Sequence, residues 1–195
     1  MAISLRHDSE VEYAGLPRRL AAFALDGLII VIYAALLAAA ALLIGGLAGI
    51  RFDGSMDPVA GNVIAFVTLV LPVVLYSTLT ESSRFQATWG KRRLGLRVVG
   101  ADGGRLGRSQ ALVRAAGKFL PWQVAHTSLF GIPGWPLAPA APPPWVGVGF
   151  GLTWLLVLVY LGTLAFAPRH RTAYDWVAGS SVIRARSTPT EQSGD

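Results

Sequence analysis

The sequence predicts an all-α membrane protein: a small helical bundle of three full spans plus a fourth or re-entrant segment, with a short cytoplasmic hairpin loop. Of its 195 residues, 53% are hydrophobic and only 14% are charged, whereas an ordinary soluble domain has roughly 25% charged residues. A soluble chain of this size has too few charged side chains to cover so much apolar surface. It has no cysteine, which excludes disulfides and metal sites with cysteine ligands.

Two uncharged windows predict the first two spans. A bilayer crossing needs about 20 mainly apolar residues, and residues 27–50 and 58–80 contain no Asp, Glu, Lys or Arg. Pro17 suits the opening turn of a helix. We therefore predict membrane segments at about 17–45 and 59–80.

A third window, residues 119–168, is long enough for two crossings and a turn. Six prolines between Pro133 and Pro144 interrupt it, because proline cannot continue a helix. The part after them predicts a full span at 145–167. The part before them reaches crossing length only if it begins at residue 111, which gives a weaker segment at 111–132. That segment includes Arg114 and Lys118, whose long side chains can reach the headgroups.

The distribution of basic residues predicts the orientation, since cytoplasmic loops are enriched in Lys and Arg. The stretch 84–118 has nine basic residues against one acidic residue, and four arginines follow the last span. A cytoplasmic loop at 81–110 and cytoplasmic termini require two crossings between them, or a segment that enters and returns. We expect a membrane domain at 15–186 in the cell membrane, with polar tails at 1–14 and 187–195.

The basic loop contains a predicted hairpin, because LGLRVV and RLG flank the glycine-rich turn GADGG. The loop contains no recognised nucleic-acid-binding module, so we expect no nucleic acid as a partner. The lipid bilayer is the expected partner, with anionic headgroups near the basic loop.

Arg19 and Asp26 are charged residues inside the first predicted span. They are seven residues apart, about 10 Å along a helix, and share one face. An intrahelical ion pair needs a spacing of three or four residues, so each side chain requires a partner elsewhere. An ionised aspartate in hydrocarbon costs about 2.5–3.5 kcal/mol. Asp26 is therefore a candidate functional residue, unless it only fixes its helix to a neighbour.

Pro72 removes a helical hydrogen bond to the carbonyl group of Thr68. The resulting kink either exposes polar groups near Asn62, Thr68 or Tyr76 or is a passive feature of the helix. The glycine pairs Gly45/Gly49 and Gly147/Gly151 have the spacing of close helix contacts. We expect those contacts within the chain, although a homo-oligomer is also consistent with them.

Three segments together resemble the RDD family of small integral membrane proteins: AGLPRRLAAFALDGLII, ATWGKRRLGLRVVGADGGRLG and RTAYDWVAGSSVI. Their order and spacing extend the resemblance over nearly the whole chain. The residues that give the family its name correspond to Arg19, Asp26 and Asp175. The loop motif corresponds to Thr88, Gly90, Lys91, Arg92 and Gly95.

The resemblance implies one function, and the charged residues leave a second one open. Some members of the family are associated with monovalent cation/proton antiport, which makes Asp26 an ion or proton ligand that Arg19 holds or displaces. The alternative is a non-transporting membrane adaptor or assembly factor in which Arg19, Asp26 and Asp175 form a structural charge cluster. Its basic loop would then bind lipid headgroups or a partner protein.

We do not expect an enzyme. The sequence has no HExxH, GxSxG or GxxxxGK[ST] motif, and its three histidines are scattered. We therefore assign no catalytic residue, cofactor or metal site.

Overall fold

The computed structural model describes residues 12–49, 57–136 and 139–185. Most of the two predicted polar tails, residues 1–11 and 187–195, lies outside these ranges. The elements in chain order are α1 (Leu16–Leu47), α2 (Pro58–Ala65), α3 (Leu71–Glu81), α4 (Trp89–Arg93), β1 (Leu96–Gly100), α5 (Arg108–Phe130), α6 (Pro144–Phe166), α7 (Ala173–Val177) and β2 (Ser180–Arg184).

Three helices in the described ranges are long and apolar enough to cross a membrane: Leu16–Leu47, Pro58–Glu81 and Pro144–Phe166. The second of them joins α2 to α3 through a π-helical segment, Phe66–Val70. The predicted helical membrane bundle with three full spans is thus confirmed.

The weaker fourth segment is one continuous helix, α5, that runs the length of the bundle. Near its start, Arg114 contacts Glu81 at the end of α3. Further along, Gln123 approaches Asn62 near the start of α2, with 3.5 Å between Nε2 and Oδ1. These two contacts place α5 alongside the second spanning helix as a fourth helix of the bundle.

The bundle therefore has two chemically different ends. We call the one where α1 and α5 begin and α3 and α6 end the charged end, and the other the opposite end. The opposite end contains Asn62 and the start of α6.

Glycine permits the close approach of α5 and α6, but at positions other than the predicted pairs. A Cβ atom at Gly149 would lie 2.0 Å from Oγ of Ser128, and one at Gly131 would lie 1.8 Å from the ring of Trp145. At Gly147 and Gly151 a Cβ atom would meet open space. The expected packing of that pair within the chain was wrong, because Gly149 is the glycine that lies against α5.

The carbonyl group that Pro72 leaves without a helical partner is bonded within the chain. The hydroxyl group of Tyr33, on α1, donates a hydrogen bond to the Thr68 carbonyl oxygen. The hydroxyl group of Tyr76 accepts a hydrogen bond from the amide of Trp89 at 2.9 Å. These polar groups therefore join neighbouring elements, as expected of a passive kink.

The two strands form an antiparallel sheet at the charged end. Val98 of β1 lies opposite Val182 of β2, and both are fully buried. The predicted hairpin was wrong. The glycine turn does form, with the Gly100 amide 2.9 Å from the Gly104 carbonyl oxygen, but the chain then enters α5. The tail strand pairs with β1 instead, because Val182 completes the apolar cluster under the sheet.

The sheet also fixes the start of the described chain. Tyr13 forms a β-bridge with Ile183, and Ala14 is fully buried. The fold therefore includes two residues of the predicted N-terminal tail, because their backbone completes the edge of the sheet.

Candidate functional site

Five helices each contribute one charged side chain to a continuous ion-pair chain at the charged end. An oxygen of Asp175 lies 2.7 Å from Arg19, and its other oxygen lies 2.8 Å from Arg114. Arg114 also pairs with Glu81, and Glu81 pairs with Lys91. The chain Arg19–Asp175–Arg114–Glu81–Lys91, which we call the ion-pair chain, thus links α1, α7, α5, α3 and α4.

The ion-pair chain is almost completely removed from solvent. The exposed fraction is 0% for Glu81 and Asp175, 1% for Arg114, and 7% for Arg19 and Lys91. Three cations and two anions leave one net positive charge. Ions buried at this depth are stable only when they are paired and hydrogen-bonded, and here the partners of each ion come from other helices of the bundle.

Asp175 is held by the backbone of its own short helix as well as by arginines. It accepts a hydrogen bond from the Thr172 amide at 3.0 Å, as part of a capping box at the start of α7. Burial alone would raise the pKa of Asp175, but Arg114, Arg19 and the hydrogen bonds from Thr172 outweigh burial and hold the pKa well below its ordinary value. Asp175 is therefore a carboxylate at neutral pH.

Asp26 has partners of a different kind. Its two oxygens accept hydrogen bonds from Oγ1 of Thr88 at 2.6 Å and from the amide of Gly90 at 2.8 Å. The side chain is buried, with 3% of its surface exposed. Arg19 and Asp26 therefore do not pair with each other: Arg19 turns to α7, and Asp26 holds the start of α4.

Glycine is required at position 90 because α4 touches the backbone of α1. A Cβ atom there would lie 2.3 Å from the carbonyl oxygen of Ala22 and 2.9 Å from Oδ1 of Asp26. In the loop motif, Thr88 is thus required for its hydrogen bond to Asp26, and Gly90 is required because no larger residue fits against α1.

The other loop-motif residues divide between the buried site and the surface. Burial and the nearby charge of Arg114 lower the pKa of Lys91 to about 7, although Glu81 opposes them. The guanidinium group of Arg92 is exposed and lies 3.9 Å from the centre of the Phe85 ring. Gly95 has a φ of +63°, which glycine adopts without strain.

A cavity of about 560 Å³ lies next to the ion-pair chain, between α1, α5 and α6. Its apolar wall includes Phe23, Ile30, Trp122 and Leu161, and its charged end includes Asp26. The basic residues that line it are Arg19, Lys91, Arg114 and Lys118.

Glu81 and Arg114 are the site residues that sequence reasoning missed. In the sequence, Glu81 is only the first charged residue after the uncharged window 58–80, and Arg114 is predicted to reach the headgroups. Arg114 is instead buried between two carboxylates, because Glu81 and Asp175 compensate its charge. The available signal was that both residues lie near the cytoplasmic ends of predicted membrane segments, as Arg19 and Asp175 do.

Within residues 12–49, 57–136 and 139–185, no three His, Asp or Glu side chains form a group that could hold a metal ion. No curated protein and no solved structure matches the chain significantly. The family model described as RDD family matches residues 13–179, which contain both ends of the ion-pair chain and Asp26. The chain therefore belongs to the RDD family, a family of membrane proteins.

Proposed function

We propose that this protein is a non-enzymatic, non-transporting membrane adaptor that gathers anionic lipid headgroups at its charged end. In this proposal the charged end faces the cytoplasm at the cell membrane, as the excess of basic residues there favours. The observation that carries it is that Arg19, Asp26 and Asp175 are ion-paired or hydrogen-bonded within the chain. Other arginines of the loop stay exposed.

The exposed arginines lie against exposed aromatic rings. Arg84 and Arg92 lie over Phe85, with 4.8 and 3.9 Å between each guanidinium carbon and the ring centre, and Arg93 lies 5.2 Å from Trp89. The rings themselves are 41% and 38% exposed. We call these five residues the loop face. Aromatic rings are enriched at membrane interfaces, and each basic residue near an anionic surface contributes about 1 kcal/mol of attraction.

The contacts of Asp26 favour an adaptor over a cation carrier. Both of its oxygens already accept hydrogen bonds, from Thr88 and Gly90. The other charged residues that line the cavity with Asp26 are basic, and a cation entering there would be repelled by them.

Lipid enrichment tests the adaptor proposal. The protein is placed in bilayers of phosphatidylcholine with a minority of phosphatidylglycerol and extracted in polymer-bounded discs, and the lipids of the discs are quantified by mass spectrometry. We expect phosphatidylglycerol to be enriched over the starting bilayer. Replacing Arg84, Arg92 and Arg93 together by glutamine should remove most of the enrichment, because the attraction depends on charge.

The matched control replaces the same three arginines by lysine, which keeps the charge and should keep most of the enrichment. High salt should weaken the enrichment for the native protein. The proposal is contradicted if the lipids around the native protein have the same composition as the starting bilayer.

Monovalent cation/proton exchange is the second candidate function. It is favoured by the position of Asp26 on the cavity wall, near Lys91. The lowered pKa of Lys91, about 7, would allow proton exchange near neutral pH. A pathway through so small a bundle would require a homo-oligomer, and the open space at Gly147 and Gly151 leaves one face of α6 accessible to a second copy.

Flux measurements separate the two functions. Proteoliposomes with a sodium or potassium gradient and an internal pH dye compare the native protein with Asp26→Asn, which keeps the shape of the side chain. The adaptor proposal expects no proton flux above that of empty vesicles for either protein. Exchange through Asp26 would give flux in the native protein and none in an equally folded variant.

A further inference from the structure

The cavity between α1, α5 and α6 opens toward the lipid. Phe23 and Val31 of α1, which line it, are 52% and 65% exposed, and Leu161 of α6 is 40% exposed. These residues belong to helices that cross the membrane, so the medium outside this opening is the bilayer. The volume, about 560 Å³, lies in the range of about 300–1,000 Å³ that is typical of ligand sites.

Lys118 is the basic residue of the cavity wall that stands outside the ion-pair chain. It is half-buried, and its Nζ lies 5.4 Å from the ring centre of Phe23 and 4.8 Å from that of Phe119. Among the described residues, no carboxylate lies within ion-pair distance of it. The two rings stabilise the positive charge of the ammonium group, but less than a carboxylate would.

The charges of the cavity wall favour an anionic ligand. Arg19, Lys91, Arg114 and Lys118 line the cavity, and Asp26 is the acidic residue that lines it. The two carboxylates that pair with Arg19, Lys91 and Arg114 lie in the ion-pair chain behind the wall. Together with Asp26 they balance three of the four positive charges, so one positive charge remains, and Lys118 is the cation without an ion-pair partner among the described residues. The rest of the wall is apolar, so a complementary ligand has one anionic group and a long apolar part.

We propose that this cavity holds one anionic phospholipid from the bilayer, with its phosphate group beside Lys118 and an acyl chain along the apolar wall. This inference rests on the proposed function and gives the adaptor a specific lipid site in addition to its loop face. A phospholipid is favoured over a soluble anion because the opening faces lipid, and because the wall offers apolar contact over most of its area.

The chain contains a residue that can block the cavity. Gly27 lines it, and a Cβ atom there would have no heavy atom within 4 Å, so a larger side chain fits without a clash at its base. Gly27→Leu therefore places four carbon atoms in the proposed lipid site. Gly46→Leu is its matched control, since Gly46 lies on the same helix with equally open surroundings and does not line the cavity.

Native mass spectrometry provides the test. The protein is reconstituted in equal parts of phosphatidylglycerol and phosphatidylcholine and re-extracted in mild detergent, and the lipids that stay bound are counted and weighed. We expect one phosphatidylglycerol per chain on the native protein. Gly27→Leu should reduce that population at least tenfold, and Gly46→Leu should leave it unchanged.

The charge of Lys118 is tested separately. Lys118→Gln should lower the preference for phosphatidylglycerol over phosphatidylcholine about fivefold, the effect of losing one cation near a headgroup. Lys118→Arg should retain the preference. Arg108→Gln removes an exposed charge of the same helix, away from the cavity, and should leave the bound lipid in place.

Three results would overturn the inference. The native protein could retain no lipid, or the bound mass could be that of a fatty acid instead of a phospholipid. The third result is an unchanged amount of bound phosphatidylglycerol in Gly27→Leu together with an unchanged lipid preference in Lys118→Gln. If Gly27→Leu fails to fold, Lys118→Gln remains the deciding variant, since it changes only a side-chain end. The glutamine variant of the loop face separates the two proposals, because it should lose general enrichment and keep the single bound lipid.

Discussion

Replacing Arg114 by methionine is expected to destabilise the folded protein by about 3–5 kcal/mol, the typical cost of removing one partner from a buried ion pair. Arg114 is 1% exposed and contacts two carboxylates that are themselves fully buried. Methionine fills much of the same space, so the loss comes mainly from the weaker charge compensation of Glu81 and Asp175. Arg19 and Lys91 still pair with these carboxylates, which places the loss near the lower limit.

Arg108 supplies the matched control, because it lies on the same helix and is exposed. Arg108→Met should change the free energy of unfolding by less than about 0.5 kcal/mol, as for most surface substitutions. Unfolding in mixed micelles with increasing denaturing detergent, followed by tryptophan fluorescence, measures both variants. Equal stability of the two variants would mean that the ion-pair chain does not hold the helices together.

A lysine at position 114 tests whether shape matters beyond charge. The guanidinium group donates from Nε and Nη2 to one oxygen of Asp175 while Nη1 reaches Glu81. An ammonium group cannot span both carboxylates in that way. We therefore expect Arg114→Lys to be less stable than the native protein and more stable than Arg114→Met.

The spans were predictable because bilayer thickness sets a length that composition reveals directly. Windows without charged residues, with Pro17 marking the start of the first helix, gave the three long helices to within a few residues. The excess of basic residues in loop and tail called for a fourth segment that crosses the membrane or enters and returns. The separate partners of Arg19 and Asp26 follow from their spacing of seven residues, although the identity of those partners does not.

The partners themselves could not be predicted, since they depend on which helix ends meet in space. Glu81 and Arg114 are 33 residues apart, and Arg114 and Asp175 are 61 residues apart. No local pattern encodes such pairs. The sheet was missed for the same reason: β1 precedes a glycine turn typical of hairpins, but its partner strand lies 80 residues later, after α5, α6 and α7.

Gly90→Ala is expected to release α4 from α1 and to destabilise the protein by about 3 kcal/mol. The added methyl group would lie 2.3 Å from a backbone oxygen of α1, and a helix backbone cannot move aside as a side chain can. If α4 shifts instead, Asp26 loses its hydrogen bonds from Thr88 and Gly90. Each bond to a charged group contributes about 1.5–3 kcal/mol, and a buried carboxylate without partners is costly.

Gly147→Ala is the matched control, because it makes the same change at a glycine of α6 with open surroundings. It should leave stability unchanged or raise it by up to about 1 kcal/mol, since alanine is the better helix former. The same micelle titration compares the two variants, and trypsin reports on the loop. Lys91 is buried in the native protein. Trypsin should therefore cut the bond after Lys91 in Gly90→Ala at enzyme concentrations and times that leave this bond uncut in Gly147→Ala.

The two readouts together distinguish the roles of Asp26. Faster cleavage with a large loss of stability means that the carboxylate is a structural anchor for the loop motif, as its two hydrogen bonds indicate. If Gly90→Ala is as stable as Gly147→Ala, the contact between α4 and α1 does not support the fold. Asp26 would then be free to exchange its hydrogen-bond partners for a cation, and the transport hypothesis would gain the mobile carboxylate that it requires.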